Sequence, residues 1–122
     1  MKLSFIQSFL VGKVPYEALK LTLSKEIDEY KSSAKEKGKT MPVYVDEDTD
    51  ILFAHADLNA LGDAFLNGEL DEIELNYLAD ALLLSNRVKF ESDQISDKLG
   101  YFTDPEVNGQ LTKEIVAEIL TR

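Results

Sequence analysis

Apolar residues recur at spacings of three and four along most of this chain, and short glycine-centred phrases interrupt them, so the pattern predicts helices joined by tight turns. The broadest apolar face lies in residues 65–85, FLNGELDEIELNYLADALLLS. Asn67-Gly68 closes one helix there, because glycine enters the left-handed region without a side-chain clash. Asp71, with Glu74 three residues on, forms a capping box for the next helix, and Leu70 is placed to act as its hydrophobic staple. Behind that cap Ile73, Leu75, Tyr77, Leu78, Ala81, Leu82 and Leu84 make the apolar face. Glu72, Asn76 and Asp80 follow one another at i,i+4 along the opposite side, which reads as acidic. Leu78 and Leu82 are expected in the core, with the hairpin of residues 65–85 at its centre.

The same punctuation occurs three times, in FLVGKVPYEAL, FLNGELDEIEL and EVNGQLTKEIV. The glycines, Gly12, Gly68 and Gly109, lie 56 and 41 residues apart, without the fixed period of a solenoid, so they read as three hinges of αα-hairpins. Ser4 with Gln7 reads as a capping box for a first helix whose Ile6, Phe9 and Leu10 face inward. Pro15 opens a second helix to about Lys37, with Tyr16, Leu19, Leu23, Ile27, Tyr30 and Ala34 as its stripe. Gly38 stops it, and Lys31, Lys35, Lys37 and Lys39 suit its C-terminal end. Pro42 biases Met41 toward extended geometry, and Val43, Tyr44 and Val45 suggest a short extended segment.

A third helix is expected from about Asp50 to Leu66, capped by Asp48 or Thr49, with Ile51, Leu58, Leu61 and Phe65 on its core side and His55 at the edge of that side. Val88 and Phe90 alternate through a connector. Ser92 caps a brief helix carrying Ile95 and Leu99, which Gly100 ends, and Tyr101 and Phe102 anchor the following turn. Thr103-Asp104-Pro105 turns again, and Thr112 caps a last helix with Leu111, Ile115, Val116, Ile119 and Leu120 apolar. The expected fold is all-α: one domain over residues 1–122, about six helices, and no strand.

Composition narrows the chemistry. The 122 residues suffice for a domain that folds alone. There is no cysteine or tryptophan and only one histidine, which removes disulfides and thiolate chemistry and argues against a zinc site. Ser4, Gln7 and Ser8 interrupt the apolar run of MKLSFIQSFLVG, so a cytoplasmic protein is expected rather than a signal peptide. Two stretches imitate calcium loops. DAFLNGELDEIE has Phe65 at the third ligand position and DPEVNGQLTKEI has Ile115 at the twelfth, so each lacks one ligand and helix capping explains the same residue types. No nucleophile elbow or phosphate loop is present, so no enzyme, metal or cofactor is expected.

Charge is the most informative feature. Residues 41–85 hold eleven acids and no lysine or arginine, a sum of −11 against −10 for the whole chain. Such a block repels nucleic acid and anionic membrane and attracts a basic partner. Asp46, Glu47, Asp48 and Asp50 crowd four acids into five positions, more than helix capping requires. With Asp57 and the Glu69, Asp71, Glu72 cluster they form the candidate partner-binding surface, and Tyr44 is a candidate aromatic anchor.

A small, acidic, helical, cysteine-free chain with FLVGKVPYEAL and FLNGELDEIELNYLADAL resembles the bacterial immunity proteins that neutralise colicin-type and contact-dependent growth inhibition toxins. The phrases are similar to the apolar-Gly-x-apolar turns of the helical members and cover about thirty residues. The resemblance implies a basic toxin domain as partner, often a nuclease whose cleft an acidic surface blocks, bound by a monomer in a 1:1 complex. Two other classes share the sequence features: a helical adaptor with an acidic face, and a degenerate EF-hand-like calcium-binding protein.

Overall fold

The computed structural model describes residues 1–34, 43–103 and 110–122. Among them are six helices, α1 (Leu3–Leu10), α2 (Tyr16–Ala34), α3 (His55–Leu66), α4 (Glu72–Leu84), α5 (Asp93–Gly100) and α6 (Lys113–Thr121), and two strands, β1 (Ile51–Phe53) and β2 (Val88–Phe90). These helices account for more than half of the chain, and the fold is mostly helical as the sequence pattern predicts. The stop at Gly38, the lysines at 35, 37 and 39, the bend at Met41-Pro42, the turn at Asp104-Pro105 and the hinge at Gly109 lie outside the described residues, as does the first half of the DPEVNGQLTKEI loop.

Helix α4 is the axis of the fold. Residues 74–79, 81 and 82 are all buried, Leu78 and Leu82 completely, and α2, α3 and α5 pack around it. Its start follows the sequence. Asp71 accepts from the Glu74 amide at 2.8 Å and Glu74 accepts from the Asp71 amide at 2.9 Å, while Leu70 and Leu75, the staple positions, are both buried. The face expected to be acidic and free is largely covered: Asn76 is buried at its middle and Glu72 and Asp80 are half-buried. Asn76 is 1 % exposed, and its side-chain amide donates to the Phe102 and Thr103 carbonyls at 2.6 and 3.2 Å. Glu74 is buried and accepts from the Tyr16 hydroxyl at 3.0 Å, and Asp80 accepts from the Tyr30 hydroxyl at 2.6 Å. Polar residues of α4 therefore bolt α2 and the turn that follows α5 to it. Leu84, by contrast, is exposed beyond the packed turns.

The connector at Val88 and the start of the expected third helix are strands. β1 and β2 pair in parallel with Ile51 opposite Val88, Leu52 opposite Lys89 and Phe53 opposite Phe90. The Phe53 and Phe90 rings meet edge to face at 5.6 Å. A parallel pair needs a long crossover, which α3 and α4 supply. Helix α3 consequently begins four residues later than Ile51, with Ala54 as N-cap and Asp57 accepting from the Ala54 amide at 2.8 Å. Neither Asp48 nor Thr49 caps it, and His55 is its exposed first residue.

Three smaller expectations also change. Ser4 and Gln7 form no box on α1, which has Lys2 at its N-cap position without a side-chain cap bond. Tyr101 and Ile115 are exposed, Tyr101 lying under the Arg122 guanidinium at 5.1 Å. Ser92 and Thr112 do cap α5 and α6, through the Ile95 and Ile115 amides. Gly12 and Gly68 take φ of +82° and +80°, the left-handed turns their phrases require.

Candidate partner-binding site

Apart from the acids that cap or brace helices, two groups of acids do different work. The first lies on an extended strap, residues 43–50, that runs across the N-terminus of α1 and the C-terminal end of α4. Its backbone is stitched by the Asp46 amide to the Met1 carbonyl at 2.7 Å and by the Leu3 amide to the Asp46 carbonyl at 3.0 Å. Its side chains then bond in alternation to the body of the fold. Glu47 accepts from the Ser85 hydroxyl at 2.6 Å and from the Asn86 amide. Asp48 accepts from both the Ser4 amide and the Ser4 hydroxyl, which makes it the long-range cap of α1. Asp50 pairs with Arg87 at 2.9 Å, and the same guanidinium reaches the Glu47 carbonyl at 2.7 Å.

Electrostatics follow those bonds. The Ser85 hydroxyl and Asn86 amide hold the Glu47 carboxyl below its usual range, the Ser4 hydroxyl and amide do so for Asp48, and Arg87 does so for Asp50. The Tyr44 ring is exposed, yet its hydroxyl donates to Glu29 at 2.9 Å, and that bond raises the phenol above its usual range. The Tyr44 amide in turn binds the buried Tyr77 hydroxyl at 3.2 Å. Tyr44 and three of the four strap acids thus carry structural bonds, and Asp57 and Asp71 carry helix caps. Asp46, Glu69 and Glu72 make no side-chain hydrogen bond to another described residue.

The second group surrounds a groove of about 380 Å³ where the Gly12 turn and the Gly68 turn come together. Phe9, Leu10, Val14, Ala60 and Ala64 give it apolar walls, and Glu17, Asp63 and Glu69 bring three carboxylates to it. No lysine or arginine lines it among the described residues. Glu69 belongs to the cluster read from the sequence; Glu17 and Asp63 do not. The signal that could have found them is the repeated hinge phrase, since a turn that recurs with the same residues is placed to build two walls of one groove. The DAFLNGELDEIE residues meanwhile serve caps, Asp71 and Glu74 with one another and Asn67 at the end of α3, and no group of three His, Cys, Asp or Glu among the described residues is arranged to hold a metal ion.

Comparison with known proteins gives no family model, no curated protein and no solved structure that matches this chain.

Proposed function

We propose that this chain is a binding protein that pairs as a monomer, 1:1, with a basic protein domain, in the manner of an immunity protein that neutralises a cognate toxin. One observation carries the reading: forty-five consecutive residues bear eleven acids without one lysine or arginine. Self-repulsion on that scale is a standing cost to the folded chain, and a cationic partner relieves it. Structural bonds account for Glu47, Asp48, Asp50, Asp57 and Asp71, while Asp46, Glu69, Glu72 and the groove carboxylates Glu17 and Asp63 are left over as charge for a partner. A nuclease domain, whose cleft is basic because its substrate is anionic, is the complement we favour. The site of action in this reading is the cytoplasm. No described helix is long and apolar enough to cross a membrane, and the absence of cysteine leaves the chain no use for an oxidising compartment.

The test is genetic and direct. The reading frames adjacent to this one are expressed singly and together with it. Growth arrest by a neighbouring basic domain, relieved by this chain and accompanied by a co-purifying 1:1 complex, is the expected result. A neighbour that arrests growth equally with and without this chain sinks the immunity reading, and a non-toxic basic partner recovered instead makes the chain an adaptor.

A further inference from the structure

We infer that the groove between the Gly12 and Gly68 turns receives an arginine or lysine side chain from the basic protein partner; this rests on the binding reading above and names where on the molecule that reading is anchored. Three independent features of the groove ask for the same occupant. The walls are apolar, from Phe9, Leu10, Ala60 and Ala64, which suits the aliphatic stem of a long cationic side chain. The rim is anionic, from Glu17, Asp63 and Glu69, which suits its head.

The third feature is the direction of the helices. Both α1 and α3 end at the groove without a basic residue in the last turn; Lys13 follows α1 in the Gly12 turn, whereas the residues that close α3, Asn67 to Leu70, bring no cation to its negative end. Helix α2 enters by its N-terminus, but Glu17 in its first turn already answers that positive end. What remains unanswered is negative, at Asp63 and Glu69. A bare metal ion is the wrong occupant, since no three carboxylates among the described residues are close enough to ligate one. A guanidinium carries five N–H donors on a planar fork, so it can bond one or two of these carboxylates without the enclosing ligand shell a metal ion needs.

The groove is formed by hinge turns whose glycines are fixed in the left-handed region, so it is present before any partner arrives. The experiment uses the whole chain labelled with nitrogen-15 and three blocked amino acids as probes: N-acetyl-arginine methylamide, the lysine equivalent, and the citrulline equivalent, which keeps the shape of arginine without its charge. Saturable shifts of the Gly12, Asp63, Gly68 and Glu69 amides are expected with the two cations, with dissociation constants on the order of millimolar, and none with citrulline. The exposed triple variant E17Q/D63N/E69Q should keep its circular dichroism spectrum and weaken arginine binding about tenfold.

Equal shifts with citrulline, shifts centred on the strap at residues 43–50, no saturable shift, or unchanged binding by the triple variant would each overturn the assignment. Calcium chloride at the same ionic strength serves as the control and should leave these amides in place. The two readings fail separately. Protection from a toxin that survives in the triple variant keeps the function and removes the groove; arginine binding without any protection keeps the groove and removes the immunity role.

Discussion

At the residue scale, the stability of this fold depends on how closely side chains fill the space around α3 and α4. Leu78 is fully buried at the axis, so L78A removes its methyl groups and leaves a cavity, which should cost about 2–5 kcal/mol in urea unfolding. Gly62 sets a subtler balance. A Cβ built there falls 2.5 to 3.0 Å from the Cδ1, Cδ2 and Cγ atoms of Leu120, which brings α6 onto α3. Alanine in mid-helix gains about 1 kcal/mol over glycine, whereas overpacking of this kind costs about 1–3 kcal/mol. The clashing atoms are the tip of a half-buried leucine that can swing aside, so G62A should fall within about 1 kcal/mol of neutral. In an L120A background the clash is gone, and the same substitution should become stabilising by about the helix-propensity difference. Equal effects of G62A in the two backgrounds would refute this account of why α6 approaches so closely. Asn76 shows the limit of periodicity at this scale: its position marks it as surface, and only the carbonyls of residues 102 and 103, supplied by a later segment, show why an amide belongs there.

At the element scale, what was legible in the sequence is what is local. The Asp71–Glu74 box, the Ser92 and Thr112 caps and the left-handed turns at Gly12 and Gly68 are settled within four residues, and all were readable. The strands were not, because Ile51 and Leu58 lie seven apart and share a helical phase, and only pairing with Val88, 37 residues on, fixes β1. Nor was the strap, whose Asp48 caps α1 from 44 residues away. Its carboxylates give the strap a pH limit. Because Glu47, Asp48 and Asp50 have folded values below the ordinary ones, their bonds stabilise the fold above the unfolded values of about 4 and are lost as pH falls through the lower folded values. Urea midpoints should therefore drop as the solution is acidified below about pH 4. The variant D48N, which keeps an acceptor for the Ser4 amide but cannot titrate, should show a shallower drop. An identical slope would mean that the strap contributes nothing to acid stability.

At the scale of the whole molecule, the question is which of the acids a partner meets. The sequence offers Asp46, Glu47, Asp48 and Asp50 as one patch, and reversing all four is the experiment that patch suggests. The structure makes it a poor one, because Glu47, Asp48 and Asp50 hold the strap to Ser85, Ser4 and Arg87. Lysines there would sever a helix cap and place cations beside Arg87, so a slower association would be indistinguishable from a damaged fold. The informative variant reverses charges with no side-chain bond to a described residue, D46K/E69K/E72K. Long-range attraction acts on the encounter, so this variant should lower the association rate with the basic partner by about tenfold or more at low salt while changing dissociation little. Raising ionic strength shortens the Debye length from about 10 Å at 0.1 M to about 3 Å at 1 M, so the difference between variant and parent should shrink as salt is added. Stopped-flow association at low and high salt measures both. A gap that persists at 1 M salt would assign the loss to short-range contacts of these side chains, and no gap at low salt would move the encounter surface away from the acidic half of the molecule.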